Sequence, residues 1–172
     1  MATHYAFRAM SRADLPLVRR WLRTPEVVRW WGNPDEQYEL VSGDLDHPDM
    51  DQFIVSFDGR PFAYIQCYRL STWNQGFGDH PKDTRGIDQF IGEADLIGCG
   101  HGSQFIRQFV DEAFRTGTPR IVTDPDPANG RAISAYDKAG FERLGLVDTP
   151  DGQSLLMVRH WCDLPGPQSS LS

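Results

Sequence analysis

The order of strand and helix patterns along the chain predicts an α+β fold built on one mixed β-sheet. Hairpin-like strand pairs occur in both halves, and in the second half two helices each follow one strand and lead into another, as parallel crossovers do. The 172 residues, 40% of them hydrophobic, suffice for a substantial core. We predict a single domain over residues 1–163 and a flexible tail over residues 164–172, where LPGPQSSLS is rich in Pro, Gly and Ser.

The predicted elements have recognisable boundaries. In chain order they are a strand over 5–10, a helix from 11, a short helix from 24, strands over 52–57, 61–68 and 85–91, a helix over 100–114, a strand over 119–123, a helix over 129–139, and strands over 141–147 and 154–160. Ser11 and Asp14 suit a capping box. Asp58 and Gly59 form a strong hairpin turn between the second and third strands. The polar segment Arg69–Thr84, which keeps two aspartates, is long enough to suggest a functional loop.

Composition narrows the class of protein. The net charge of −7 disfavours nucleic acid, whose phosphates need a basic surface, and suits a small cationic ligand. The sequence has no run of about 18 apolar residues, and its start MATHYAFRAM does not resemble a secretion signal, so we expect a cytoplasmic protein that does not engage a membrane. The cysteines at 67, 99 and 162 lack zinc-like spacing and predict free thiols and no metal site. Monomer and homodimer remain open.

The most informative segment is TDPDPANGRAISAYDKAGF at Thr123–Phe141. Its two prolines end the preceding strand, Asn129 can cap the next helix by accepting from an orphan backbone N–H, and Gly140 ends that helix. The open N-terminal end of a helix attracts anions. Tyr136, two turns into the helix, can supply a proton to a leaving group.

A glycine-rich segment opens the preceding helix. In IGCGHGS at Ile97–Ser103, three glycines at alternating positions allow backbone N–H groups to approach a phosphate, with a helix N-terminus behind them. Many connecting turns contain glycines, so this loop alone is weak evidence for a phosphate-binding site. The strand before it, the helix after it and the Thr123–Phe141 segment strengthen the prediction. A dinucleotide-binding unit is disfavoured, because the expected acidic residue on a second parallel strand is missing.

Together these segments resemble the GNAT acetyltransferases, which transfer an acetyl group from acetyl-CoA to an amine. The resemblance implies a mixed sheet flanked by helices, in which two central strands splay apart, and it implies acetyl-CoA as cosubstrate between them. By position, the residues expected to bind the cosubstrate are Phe90, Ile91, Gly98, Gly100, His101, Gly102, Ser103 and Asn129. The chain departs from the family at Ile97, where Arg or Gln is common, and Asp95 is expected to point away.

Asp88 is the most telling acidic residue. Alternation along the strand over 85–91 places it on the same face as Phe90, where a carboxylate is costly unless it is paired or functional. A salt bridge to Arg85 or Arg131 is one interpretation. Contact with an amine is the other, and we favour it because the strand adjoins the glycine-rich loop.

Five segments resemble the aminoglycoside 6′-N-acetyltransferases more specifically. They are VVRWWGN, AYIQCY, RGIDQF, TDPDPANGRAISAYDKAGFERLG and TPDG, which begin at residues 27, 63, 85, 123 and 149. The resemblance implies that Asp88 and Tyr136 are catalytic, with Asp88 near the reacting nitrogen and Tyr136 protonating the leaving thiolate. It also implies an acceptor site formed by Asp124, Trp30, Trp31, Tyr64 and Gln66.

Each of these assignments has a structural alternative. Tyr136 can be a core aromatic, Trp30 and Trp31 can pack a short helix, and Asp124 can be a turn residue before a proline. For the whole chain, the favoured function is direct acetylation of an aminoglycoside 6′-amine. The alternatives are acetylation of another small amine, such as a siderophore hydroxylysine precursor, and a non-catalytic CoA-binding sensor.

Overall fold

The computed structural model describes residues 5–73 and 76–161, and within them a seven-stranded mixed sheet. Its strands are β1 Tyr5–Ala9, β2 Met50–Phe57, β3 Arg60–Arg69, β4 Arg85–Ile91, β5 Arg120–Thr123, β6 Glu142–Thr149 and β7 Gly152–His160. The helices are α1 Leu15–Leu22, α2 Pro25–Trp31, α3 Pro34–Gly43, α4 Leu70–Trp73, α5 His101–Arg115 and α6 Gly130–Lys138. The predicted tail lies outside the described residues, so its flexibility stays a prediction.

The sheet is antiparallel except at its centre. Its strand order is β1-β2-β3-β4-β5-β7-β6, and only β4 and β5 run parallel. Their register contains two residue pairs, Arg85 with Ile121 and Gly86 with Val122, beyond which the strands separate. The mixed sheet and its splayed central strands were both predicted, and both predictions are confirmed.

Helices cover both faces of the sheet. On one face, α1–α3 pack through an apolar cluster that includes Trp21, Tyr64 and Phe90. On the other face, α5 and α6 pack through a cluster that includes Phe105 and Ile133. None of the helices in the described part of the chain has the length and apolarity needed to cross a membrane.

Local signals placed most elements, and most of their ends are shifted by no more than two residues. The helix predicted from residue 11 begins as a 3₁₀ turn at Arg12–Asp14, and α1 itself starts at Leu15. The capping box of Ser11 and Asp14 is present, and Asp58 and Gly59 take the left-handed backbone angles (φ 47° and 81°) that their hairpin turn requires. The four-residue helix α4 lies within the Arg69–Thr84 segment that was predicted to be a loop. Helix α3 was not predicted either. Its start carries a readable signal, because the Asn33 side chain accepts hydrogen bonds from the next turn and a proline follows at the first helical position.

We expect Gly92→Ala to lower the free energy of unfolding by about 1–3 kcal/mol, since a new methyl group must displace well-packed neighbours. A Cβ at Gly92 would overlap the indole ring of Trp21, which is fully buried. Urea denaturation measures the effect. The matched control is Gly43→Ala at the end of α3, where a Cβ meets nothing within 4 Å and should not destabilise the protein. Equal stability of the two variants would contradict the packing at Gly92.

Candidate active site

The separation of β4 and β5 lies beside two clefts that share Trp31 as a wall. The glycine-loop cleft, about 270 Å³, is lined by α2, the end of β4, α6 and five residues of the glycine-rich loop, which are Ile97, Gly98, Gly100, Gly102 and Ser103. The acidic cleft, about 460 Å³, is lined mainly by α3, β3, Asp88 of β4, Asp124 and the turn between β6 and β7. A donor and an acceptor bound in these two clefts would therefore meet at β4.

The glycine-loop cleft has the form of an anion site. Gly98 and Gly100 adopt left-handed backbone angles (φ 74° and 85°), which bring the chain round to the N-terminus of α5. Orphan backbone N–H groups at such a terminus bind phosphate. The residues predicted to bind the cosubstrate that line this cleft are Phe90, Ile91, Gly98, Gly100, Gly102, Ser103 and Asn129. The set suits a long ligand with an anionic part and an apolar part.

His101 is placed differently from the prediction. Its Nδ1 lies 2.8 Å from the hydroxyl oxygen of Tyr5, and its ring centroid lies 4.6 Å from that of Phe57. The His101 side chain therefore packs toward β1 and β2 and does not line the cleft. Of its predicted role in binding the cosubstrate, only a contact through the backbone N–H at the first position of α5 is still possible.

Charged side chains also reach the glycine-loop cleft. Arg131 and Lys138 line it from α6, and Arg131 pairs with Glu26 of α2 at 3.1 Å. Ile97 lines it at the position where the family often has a cationic or amide side chain. Asp95 is held outside by a two-point ion pair with Arg60, as predicted. Two cations thus accompany the backbone N–H groups as partners for an anionic ligand.

The acidic cleft contains four carboxylates and, among its described lining residues, no lysine or arginine. Two of the carboxylates, Asp88 and Asp124, were predicted. The other two are Asp44 at the end of α3 and Asp151 in the turn before β7. Excess negative charge in a confined cleft concentrates cationic ligands.

Asp88 makes no salt bridge with either predicted partner. Arg85 instead bonds to Asp51 at 2.7 Å, and Arg131 pairs with Glu26. The Asp88 carboxylate accepts a hydrogen bond of 2.9 Å from Nε2 of Gln66. Burial raises the pKa of Asp88, and this hydrogen bond opposes the rise. The structure thus favours a functional interpretation of this carboxylate over an ion pair.

Asp124 is coupled to Asp88. Burial and then the nearby charge of Asp88 raise the pKa of Asp124 to about 7, while a hydrogen bond from Ser154 opposes the rise. Asp151 adds a smaller repulsion. At neutral pH the pair therefore holds a proton that is easily exchanged, and a bound ammonium group would relieve the repulsion.

Tyr136 occupies the boundary between core and site. Its side chain is buried and packs against Phe141, with ring centroids 5.4 Å apart. Its hydroxyl lies within hydrogen-bonding reach of the side chains of Thr123 and Gln89, and Gln89 lines the glycine-loop cleft. Burial raises the pKa of Tyr136, which keeps the phenol protonated. The core interpretation and the acid interpretation are thus compatible, and the acid role stays a prediction.

The predicted acceptor residues divide among three places. Gln66 and Trp31 line the acidic cleft. Trp30 lines the glycine-loop cleft instead, with its Nε1 3.3 Å from Glu26. Tyr64 lines neither cleft, because it is fully buried behind Gln66. Its predicted direct contact with the acceptor is therefore corrected to a supporting position.

Several lining residues of the acidic cleft were missed. They are Gln37, Leu40, Val41, Asp44, Met50, Tyr68, Trp73, Phe77, Thr149, Pro150 and Asp151. The Arg69–Thr84 segment does reach the cleft, but through Trp73 and Phe77 instead of its aspartates. For four of the others a signal existed at Asn33-Pro34, whose capping pattern predicts the helix that carries Gln37, Leu40 and Val41 and ends at Asp44.

A family model described as the acetyltransferase (GNAT) domain matches residues 11–149. The chain therefore belongs to the GNAT acetyltransferase family, as the sequence indicated. The aminoglycoside N(6′)-acetyltransferase type 1 of Klebsiella pneumoniae is 35% identical over 162 residues, or 88% of this chain and 81% of that protein. The predicted similarity to this group of enzymes is thus confirmed.

Solved structures of the enzyme AAC(6′)-Ib share the fold. Its complex with paromomycin and acetyl-CoA matches with a TM-score of 0.82 and 32% identity, covering 96% of this chain and 99% of that one. Its complex with coenzyme A and kanamycin matches with a TM-score of 0.80 and 33% identity, covering 91% and 95%. The seven-stranded sheet and its flanking helices are thus those of known acetyltransferases.

The coupling of the two buried aspartates can be measured. We expect Asp88→Asn to lower the pKa of Asp124 from about 7 by roughly one unit, because it removes one charge that opposes ionisation. Carbon-13 NMR of the carboxyl groups against pH follows the titration. The exposed Asp46, paired with Arg12 on the surface, provides the control Asp46→Asn. An Asp124 titration unchanged by Asp88→Asn would contradict the coupling.

The same coupling sets a pH dependence of stability. Folded Asp124 keeps its proton up to about pH 7, whereas an unfolded aspartate loses it near pH 3.9, so this group's contribution to stability falls as pH rises through that window. The free energy of unfolding of Asp88→Asn should therefore exceed that of the parent by about 1 kcal/mol at pH 8 and by less at pH 5. Urea denaturation at the two pH values measures the difference.

Proposed function

We propose that this protein is an acetyl-CoA-dependent N-acetyltransferase that acetylates the 6′-amino group of aminoglycosides by direct transfer. The observation that carries the proposal is the meeting of an acidic cleft and a phosphate-suited cleft at β4. The similarity to an aminoglycoside N(6′)-acetyltransferase and to AAC(6′)-Ib bound to aminoglycosides supports it. Such an enzyme would work in the cytoplasm, where acetyl-CoA is available, and we propose no metal.

On the donor side, the chain's role is to bind and orient. Backbone N–H groups at Gly98–Ser103 and the N-terminus of α5 would bind the pyrophosphate, and Arg131 and Lys138, which line the same cleft, would add positive charge. Asn129 would contact the pantetheine arm, although its side chain also caps α6 through the N–H of Ala132. Acetyl-CoA, when bound, supplies the thioester that is attacked.

On the acceptor side, carboxylates would hold ammonium groups. Aminoglycosides carry several amines, and the acidic cleft presents four aspartates with walls from Trp31 and α3. Asp88, which lies on β4 and lines the acidic cleft, would hold the reacting nitrogen and take its proton. Asp124 would bind a neighbouring amine or share that proton, since its pKa of about 7 suits proton exchange at neutral pH.

Proton delivery to the leaving thiolate is assigned to Tyr136. A buried phenol with a raised pKa stays protonated at neutral pH, so its O–H can donate to the sulfur and share its proton as negative charge develops there. The nearby Gln89 side chain links the hydroxyl of Tyr136 to the glycine-loop cleft.

A different small amine remains the second candidate acceptor. The observation that favours this candidate is the composition of the loop wall, because the Arg69–Thr84 segment lines the acidic cleft with Trp73 and Phe77 and with neither of its two aspartates. Apolar aromatic walls suit a compact or partly apolar amine. A CoA-binding sensor is disfavoured, because a sensor does not need two buried, coupled aspartates beside its ligand.

Mixing the protein with acetyl-CoA and, in turn, kanamycin, tobramycin and a lysine-derived amine tests the function. We expect thiol release with the two drugs and an acetyl mass gain on the 6′-amine. Asp88→Asn should lower kcat/KM for the drug at least about 100-fold while leaving CoA affinity unchanged, because it removes the base and a charge that binds the amine. The control is Asp46→Asn. Acetyl transfer only to the lysine-derived amine would contradict the aminoglycoside proposal and support a different small amine as the acceptor.

Tyr136→Phe separates the acid role from the packing role. The ring and its contact with Phe141 are kept, so folding should be preserved. We expect kcat to fall about 100-fold with little change in either KM, because only protonation of the leaving group is affected. Steady-state kinetics with the favoured acceptor measure this. Unchanged kcat would assign Tyr136 to the core alone.

A further inference from the structure

A chain of hydrogen bonds leads from the backbone of α3 to Asp88. Nε2 of Gln52 donates to the carbonyl of Val41 at 2.9 Å and to the hydroxyl oxygen of Tyr64 at 3.0 Å. The Tyr64 hydroxyl donates to Oε1 of Gln66 at 2.7 Å, and Nε2 of Gln66 donates to Asp88 at 2.9 Å. The chain thus crosses three neighbouring strands, β2, β3 and β4.

The direction of every bond in this chain is fixed from one end. The Val41 carbonyl can only accept, so the Gln52 amide must present its NH₂ group. The second N–H of that group then meets the Tyr64 oxygen, which leaves the Tyr64 proton to point at Gln66. Because Gln66 receives this proton on Oε1, its own NH₂ group must face Asp88.

Burial protects this order from exchange with water. Tyr64 is fully buried, and Gln52 is 6% exposed. The Tyr64 ring stacks on Phe90 with centroids 5.2 Å apart and meets the edge of Trp31 at 6.2 Å. Gln52 keeps this orientation although its Oε1 has no hydrogen-bond partner within the described part of the chain. The reversed amide would set two carbonyl oxygens against each other at Val41, so the observed orientation is the better one.

We infer that Tyr64, oriented by Gln52, is a positioning residue that holds the Gln66 amide with its N–H groups toward Asp88 and so keeps that carboxylate aimed into the acidic cleft. This inference rests on the proposed function, in which Asp88 contacts the amine. Without the Tyr64 hydroxyl, the Gln66 amide is free to turn its oxygen toward Asp88. The carboxylate would then lose its donor and its fixed direction.

The test is Tyr64→Phe, which keeps the ring contacts with Phe90 and Trp31 and removes only the hydroxyl. We expect kcat/KM for the amine to fall about tenfold, the typical effect of one lost hydrogen bond, while the KM for acetyl-CoA stays unchanged. The matched control is Tyr38→Phe on α3, in the same apolar cluster but outside both clefts. An unchanged kcat/KM in the Tyr64→Phe variant would overturn the inference.

A double variant separates positioning from packing. If Tyr64 acts only through Gln66, adding Tyr64→Phe to Gln66→Leu causes no further loss of kcat/KM. A further tenfold loss in the double variant would show a purely structural effect and overturn the inference. If Tyr64→Phe does not fold, Gln52→Met tests the same hydrogen-bond chain, because it removes the donor that orients the Tyr64 hydroxyl. We expect it to lower kcat/KM for the amine as well, but by a smaller factor.

A measurement without any acceptor distinguishes this inference from the proposed function. The Gln66 side-chain N–H groups should exchange with solvent faster in Tyr64→Phe than in the parent and in Tyr38→Phe, as measured by proton–nitrogen NMR. Faster exchange with no drug acetylation by the parent would sustain the inference and reject the proposed function. Equal exchange in all three proteins would overturn the inference, whatever the enzyme acetylates.

Discussion

Pairing between the parallel strands β4 and β5 stops after two residue pairs, and the chain after β5 cannot resume it. Asp124-Pro125-Asp126-Pro127 follows Thr123 at once, and each proline lacks the N–H that a ladder needs. The carbonyl of Pro125 instead accepts from the N–H of Leu155 on β7, which holds the segment on the far side of the gap. Both clefts, and the placement of Asp88 between them, depend on this divergence.

The same divergence brings like charges together, and the protein tolerates the cost. Asp88 lies on β4 and Asp124 directly follows β5; burial raises the pKa of both carboxyl groups, and the charge of Asp88 raises the pKa of Asp124 further. A hydrogen bond to each carboxylate opposes the rise in pKa, from Gln66 to Asp88 and from Ser154 to Asp124, and within the described part of the chain neither aspartate pairs with an arginine. A site that is destabilised when empty and relieved by a cationic ligand is a common way for a protein to store binding energy.

Much of the fold and part of the site were predictable because the signals are local. Strand alternation placed Asp88 and Phe90 on the face opposite Ile87, and the two faces indeed pack against different helices. Asn129 caps α6 as its position implied. Helix α3 was missed although its capping residues are visible in the sequence, and Asp44 was missed with it. Asp151 in the β6–β7 turn was also missed, so the sequence located two of the four carboxylates in the acidic cleft.

The sequence by itself determined the order of elements, the glycine-rich loop before α5, and the two central aspartates, because alternation, capping and chain breaking act over a few residues. Only the tertiary structure decided which neighbours each side chain meets. The His101 side chain lies toward β1, and Trp30 lines the glycine-loop cleft. Tyr64 is buried and supports Gln66 through a hydrogen bond. A residue's face follows from its own strand or helix, but its partner follows from how separate layers pack, which no local pattern encodes.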